Sequence, residues 1–189
     1  MVKEDYRNSR IYGMIPKDVK TVLDIGSAGE IFAKKYKTTT IDLIEDADIK
    51  QDLDKDQKIP FKDNSFDIVV LNQIIEHLTD VEVLVAECKR VSKKYIFVGL
   101  PNELTYGMRL KFLFGKPAWG GYYPEGHKHF FIIRTVQEFV EKFFDKKAII
   151  KKGYYGVCCG GVFPYALRDF LAKVFPTLFA REIFYLIKK

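Results

Sequence analysis

The chain has 189 residues, 48% hydrophobic and 30% charged, with a formal charge of +6. That suits one well-buried domain and is short for two; it excludes a disordered or low-complexity protein. The lysines are scattered or paired, as at Lys34-Lys35 and Lys93-Lys94, which fits a solvated basic surface better than a nucleic-acid or anionic-membrane footprint.

The charged start, MVKEDYRNSR, argues against a signal peptide. TVLDIGSAGEIF (Thr21 to Phe32) reads as a strand, then an acid and a glycine turn, then the start of a helix with Ser27 and Glu30 as its capping box. Further short apolar runs at Thr38–Leu43, Ile49–Leu53, Phe66–Asn72 and Tyr95–Leu100 read as strands. FDIVVLN and YIFVGL are apolar on both faces, as central parallel strands are. Asp42 and Asp52 stand too close for a full crossover helix between the second and third strands, so a turn must serve there.

Thr79 with Glu82, and Thr135 with Glu138, are read as capping boxes opening two amphipathic helices. Their apolar faces are Val81, Leu84, Val85, Cys88 and Val91, and Val136, Phe139, Val140, Phe143 and Phe144. VFPYALRDFLAKVFP reads as a helix with a stripe of Phe163, Ala166, Leu167, Phe170, Leu171, Val174 and Phe175. Pro164 opens it and Pro176 ends it. REIFYLIKK is a last strand pairing with Lys147–Tyr154, which leaves the helix inserted between the two. The expected fold is α/β and Rossmann-like: a mostly parallel sheet with an antiparallel last strand and helices on both faces, in one domain over 1–189. A loop is expected at 102–130 and the inserted helix at about 163–176.

A glycine turn at a strand's carboxyl end lets a ligand approach the backbone, and the helix start beyond it offers N–H groups. Asp42, ending the next strand, suits a ribose diol. Asp52 could accept from an adenine amino group while Leu53 covers the ring. Asn72 and Gln73 leave the fourth strand beside the same pocket. A dinucleotide reductase would need G-x-G-x-x-G, which Gly26 and Gly29 do not supply.

On VLDIGSAGE, TTIDL, QDL, IPFKDNSFDIVVLNQIIEHLTD, YIFVGLPNE and GHKHFF, the sequence resembles the class I S-adenosylmethionine-dependent methyltransferases, of the small-molecule, type 11-like group that includes ubiquinone-pathway enzymes. The resemblance covers most of Thr21 to Phe144. It implies S-adenosylmethionine as cofactor and S-adenosylhomocysteine as product. It implies that Asp24, Gly26, Ser27, Ala28 and Gly29 line the methionine portion, that Asp42 and Leu43 hold the ribose end, that Asp52 and Leu53 hold the adenine, and that Asn72 and Gln73 meet the ligand. The family usually has glycines where Ala28 and Glu30 stand here.

The acceptor is less legible. LNQI lacks the Asp/Asn-Pro-Pro-aromatic signature of base-amino methylation, and no cysteine is placed for attack at a pyrimidine carbon. A small or amphiphilic acceptor, quinone-like or lipid-linked, methylated at a hydroxyl is therefore expected, with no strong nucleic-acid signal. Two alternatives stay open: a transfer-RNA methyltransferase, on net charge alone, and a non-catalytic module that binds cofactor or nothing.

The resemblance places His127 beside the acceptor pocket, as base or packing group in equal measure. His129, two residues on in an extended segment, is expected on the same side. No metal ligands are expected: at Glu76-His77 a hard ligand is replaced by Gln73, which leaves a structural histidine as the favoured reading. Trp119, Tyr122 and Tyr123 lie in a glycine-rich loop that suits a cover over the acceptor. The inserted helix could be a lid, part of the core or a peripheral membrane contact; its polar face holds only Arg168, Asp169 and Lys173, with no dense basic row, which favours lid or core. Cys88, Cys158 and Cys159 lack framework spacing and fit a reducing, cytoplasmic setting.

Overall fold

The computed structural model describes residues 3–26, 31–116, 126–156 and 164–189. Seven strands form one sheet in the order β3-β2-β1-β4-β5-β7-β6. In chain order these are β1 (Thr21–Ile25), β2 (Lys37–Asp42), β3 (Ile49–Lys50), β4 (Phe66–Asn72), β5 (Ser92–Pro101), β6 (Ile149–Gly156) and β7 (Ala180–Lys188). The first five run parallel, and β7 pairs antiparallel to both β5 and β6.

The strands alternate between two cores because successive side chains leave a strand on opposite faces. Val69, Leu71, Ile96, Val98, Ile183 and Tyr185 point to one face. There they meet Leu84, Val85 and Cys88 of helix α2 (Glu82–Val91), and Val136 and Val140 of α4 (Ile133–Phe143). Ile68, Val70, Phe97, Phe184 and Leu186 point to the other. There they meet Ile11 and Met14 of an N-terminal helix α1 (Lys3–Met14), together with Phe32. The expected fold class and the antiparallel end of the sheet are thus both present.

Several local expectations are corrected. Residues 31–36 make turns closed by Lys35 and Tyr36 N–H groups on the Phe32 carbonyl, not a helix; Ser27 and Glu30 lie outside the described residues. Asp80, not Thr79, accepts from the N–H of Glu82, while Thr79 Oγ1 accepts from Lys128 Nζ. Thr135 lies inside the first turn of α4, where its Oγ1 accepts from the Ile132 N–H, and Glu138 pairs with Arg134 instead. The third strand is only two residues long; beyond it the Gln51 side-chain amide donates to the carbonyls of Asp56 and Lys58. The stretch 102–130 contains a helix, α3 (Tyr106–Leu113).

The largest departure is α5 (Tyr165–Val174), which sits between β6 and β7 as expected but faces the other way. Its buried residues are Arg168 and Ala172, while Leu167, Phe170 and Val174 are exposed. Gly156 explains the choice. A Cβ there would stand 2.6 Å from the Arg168 carbonyl and 2.9 Å from Ala172 Cβ, so the helix backbone rests directly on the strand at this glycine. A four-residue α6 (Pro176–Phe179) leads back into β7, with Pro176 at its first turn.

Candidate functional site

Strand order reverses at β1, which pairs with β2 on one side and β4 on the other. In an open parallel sheet this is where ligands settle, at the carboxyl ends of the strands. Gly26 leaves β1 with φ +72°, and its N–H donates to the Ile41 carbonyl at 2.8 Å. A side chain there would collide with Ile74, whose Cγ1 would be 2.4 Å away.

A narrow cleft of about 100 Å³ opens beside this turn, lined by Gly26, Asp42, Leu43, Asp52, Leu53 and Ile74 among others. One Asp42 carboxylate oxygen accepts from the Leu43 N–H at 2.6 Å. Its other oxygen accepts no hydrogen bond among the described residues. Asp52 takes Lys55 at 2.8 Å, and that ammonium holds the carboxyl below the usual carboxylate range. Leu53 is buried and Leu43 exposed.

His77 borders this cleft and also a second, larger cavity of about 430 Å³. Glu76 and Gln73, from the turn after β4, line that cavity, together with Met108 of α3, His127 and Glu182 of β7. Gln73 is held at φ 59° by its N–H bond to the Gly99 carbonyl, and its side-chain amide nitrogen is buried without a partner among the described residues. A non-glycine residue in the left-handed region is a strained feature of the kind that gathers at functional sites.

His127 is fixed from behind. Its Nδ1 is 2.7 Å from Glu103 Oε1, while Glu103 Oε2 accepts from the Phe131 N–H at 2.8 Å. Glu103 is fully buried. A carboxylate at Nδ1 selects the tautomer in which Nδ1 carries the proton and Nε2 is the acceptor. The His77 and His127 rings meet edge to face, with centroids 4.6 Å apart.

Glu76 is 1% exposed, and its Oε2 is buried with no partner among the described residues. Burial, with Glu103 and Glu182 adding their charges, pushes its pKa up to about 8, and Arg7 pulls the other way. Arg7 of α1 grips Glu182 with two nitrogens at 2.6 to 2.9 Å. Glu76, His77 and His127 offer ligand atoms within 4.8 Å of one another, close enough for one ion to touch all three. The sequence reading counted none of them as a metal ligand.

Residues 23–96 match the family model described as a methyltransferase domain, from β1 into β5. That segment is similar to a methyltransferase domain. Solved structures of similar fold include a SAM dependent methyltransferase from Archaeoglobus fulgidus, at 20% identity and TM-score 0.64, covering 100% of this chain and 95% of that one. A second is a SAM-dependent methyltransferase from Thermotoga maritima titled a possible histamine N-methyltransferase, at 15% identity and TM-score 0.62, covering 96% and 87%. A third is a putative methyltransferase from Bacillus halodurans, at 15% identity and TM-score 0.60, covering 96% and 97%. At these identities the likeness is one of fold. A search of curated proteins finds no match to the chain.

The methyltransferase family and fold imply S-adenosylmethionine as cofactor. The chemistry of the cleft fits it: a carboxylate with an open oxygen at Asp42 for a diol, an apolar wall of Leu53 and Ile74 for a ring, and a glycine turn that keeps the backbone near. The cleft has room for part of a nucleoside, and the cavity beyond His77 continues it.

The other expected site residues fall differently. Asp24 is 3% exposed inside β1 and lines neither space. Asn72 is also absent from both walls; its Oδ1 is buried without a partner among the described residues, where a Cβ on Gly99 would come within 2.3 Å. Ser27, Ala28 and Gly29 lie outside the described residues, as do Trp119, Tyr122, Tyr123, Cys158, Cys159 and Phe163.

His127 and His129 do not share a site. The chain bends as the Lys128 and His129 N–H groups both donate to the Glu76 carbonyl. His129 consequently faces a separate space with Phe131, Phe139 and Phe143. Sequence reasoning missed Glu103, Glu182 and Arg7, and set Glu76 and His77 aside as structural. PNE and IIEHL carried the signal for three of these, since each puts an acid or histidine directly after a buried strand.

Proposed function

We propose that this methyltransferase moves a methyl group from S-adenosylmethionine to a hydroxyl oxygen of a small or amphiphilic acceptor, in a single cytoplasmic domain. The observation that carries the reading is the Glu103–His127 pair on the wall of the larger cavity. A hydroxyl is a poor nucleophile until its proton has somewhere to go, and the pair supplies a base beside the cavity.

Asp42 would hold the ribose hydroxyls, and Leu53 and Asp52 would flank the adenine. The cofactor supplies a methyl group already activated on a sulfonium, so the protein's work is positioning and exclusion of water. His127 Nε2 would take the acceptor's proton as the oxygen attacks, with the charge that develops on the ring stabilised by Glu103 at 2.7 Å. Glu76, neutral near pH 7 by its raised pKa, would donate rather than accept a hydrogen bond in the same cavity. His129 stands outside this scheme.

The test offers methyl-labelled cofactor with phenols, quinols and amphiphilic polyols, and separately with transfer RNA. Label in a methyl ether, lost in the His127→Ala variant while S-adenosylhomocysteine still binds, supports the reading. Label in RNA alone would overturn the acceptor class. Failure of the folded chain to bind S-adenosylhomocysteine would favour the non-catalytic module.

A further inference from the structure

The exposed apolar side chains are not scattered. Of the exposed large hydrophobics among the described residues, four lie on α3 and its C-cap and four on α5 and its C-cap. Leu113 is 76% exposed, Phe114 72% and Phe170 59%. α6 joins the two groups: Phe179 packs on Tyr106 of α3 at 5.5 Å and on Phe175 at 6.5 Å. Scattered single residues of this kind need no explanation, but a gathered patch calls for a covering surface.

The rim of this patch carries one sign of charge. Residues 104–116 hold Arg109, Lys111 and Lys116 and no acid. Residues 164–181 hold a single acid, Asp169, which accepts from Tyr6 Oη and pairs with Arg10 at 3.5 Å. Lys111, Lys116, Lys173 and Arg181 are exposed and lie on or next in the chain to these helices. The patch also borders the larger cavity, whose wall includes Thr105, Met108 and Arg181.

We propose that the α3–α5–α6 face docks on an anionic lipid bilayer, with Phe114, Leu113 and Phe170 entering the headgroup boundary and the lysines meeting the lipid charges. A two-fold contact between copies of the chain would set like-charged rims against each other, which disfavours a second copy as the occupant. Taken with the amphiphilic-acceptor reading, on which this consequence rests, the face would bring the cavity mouth to the surface where such an acceptor resides.

The test is flotation of the full chain with vesicles of equal parts phosphatidylcholine and phosphatidylglycerol, against phosphatidylcholine alone. The wild-type chain should float with the mixed vesicles, far less with the neutral ones, and less again in high salt. The Phe170→Ser variant should bind roughly ten-fold more weakly, and the Leu113→Ser/Phe114→Ser pair more weakly still. Reversing Lys111 and Lys116 to glutamate should cost about five-fold or more per residue on the mixed vesicles only.

S-adenosylhomocysteine binding by the same variants shows that they are folded and separates the two readings. No flotation by a chain that binds this ligand overturns the docking surface alone. Flotation unchanged in the apolar variants overturns it too, as does a concentration-dependent dimer that the variants abolish. Flotation by a chain that binds no such ligand leaves the surface standing and sinks the enzyme reading.

Discussion

Glu76 makes stability fall as pH rises, and a single substitution isolates the effect. In the folded chain burial lifts its pKa from 4.5 to about 8, the nearby Glu103 and Glu182 adding to the rise. Between those values the folded state holds one proton that the unfolded state has already lost. The unfolded state binds fewer protons, so the free energy of unfolding declines with pH across the window. At about 1.4 kcal/mol per unit, the full span amounts to about 5 kcal/mol, an upper figure because folded chains relax around a buried charge. For a chain of this size that corresponds to roughly 10 to 20 °C in Tm.

Glu76→Gln keeps the shape and removes the titration. Thermal unfolding followed by circular dichroism at pH 6 and pH 9 should show the wild-type chain losing far more Tm than the variant. Other groups titrate in both chains and cancel in the comparison. Parallel losses in the two chains would refute the assignment of a buried, protonated Glu76.

Three further outcomes follow from particular contacts. Asp42→Ala should abolish S-adenosylhomocysteine binding by calorimetry while the circular dichroism spectrum is kept; normal binding would remove Asp42 from the ribose. His127→Ala should lower kcat by roughly a hundred-fold or more with cofactor affinity unchanged, and Glu103→Gln should lower kcat while S-adenosylhomocysteine affinity is kept. Gly26→Ala meets both a φ of +72° and the Ile74 side chain at 2.4 Å. It should cost about 1 to 3 kcal/mol of stability and weaken the cofactor, which denaturant unfolding and calorimetry measure separately.

The sheet was legible in the sequence because its central strands β4 and β5 are apolar on both faces, as strands covered on both sides are. Thr21–Ile25 and Phe66–Asn72 match their observed bounds. Helix α5 misled because hydrophobic period reports which side of a helix is apolar, not which side the fold buries. Its orientation is set by Gly156, a strand residue far from the helix pattern.

The capping boxes misled in the same way: a Thr–x–x–Glu spacing does not say which neighbour, such as Lys128 or Ile132, will claim the hydroxyl. At the site, Asp42, Asp52 and Leu53 were legible from strand-end positions, and they line the cleft together. Glu103 and Glu182 were not, because their roles depend on His127 and Arg7 reaching them from distant segments. His129 was misplaced because spacing of two implies one side only where the backbone is extended, and here it bends onto the Glu76 carbonyl.

The central claim is that the Asp42–Asp52 cleft holds the cofactor. The most direct measurement is the melting temperature of the wild-type chain with and without S-adenosylhomocysteine, with calorimetric titration alongside. A ligand that binds only the folded chain must stabilise it, by about 2.7 kcal/mol at a hundred times its dissociation constant. A rise in Tm with micromolar affinity, lost in Asp42→Ala, is the predicted result. No rise and no heat at millimolar ligand, with the chain folded, would contradict the account.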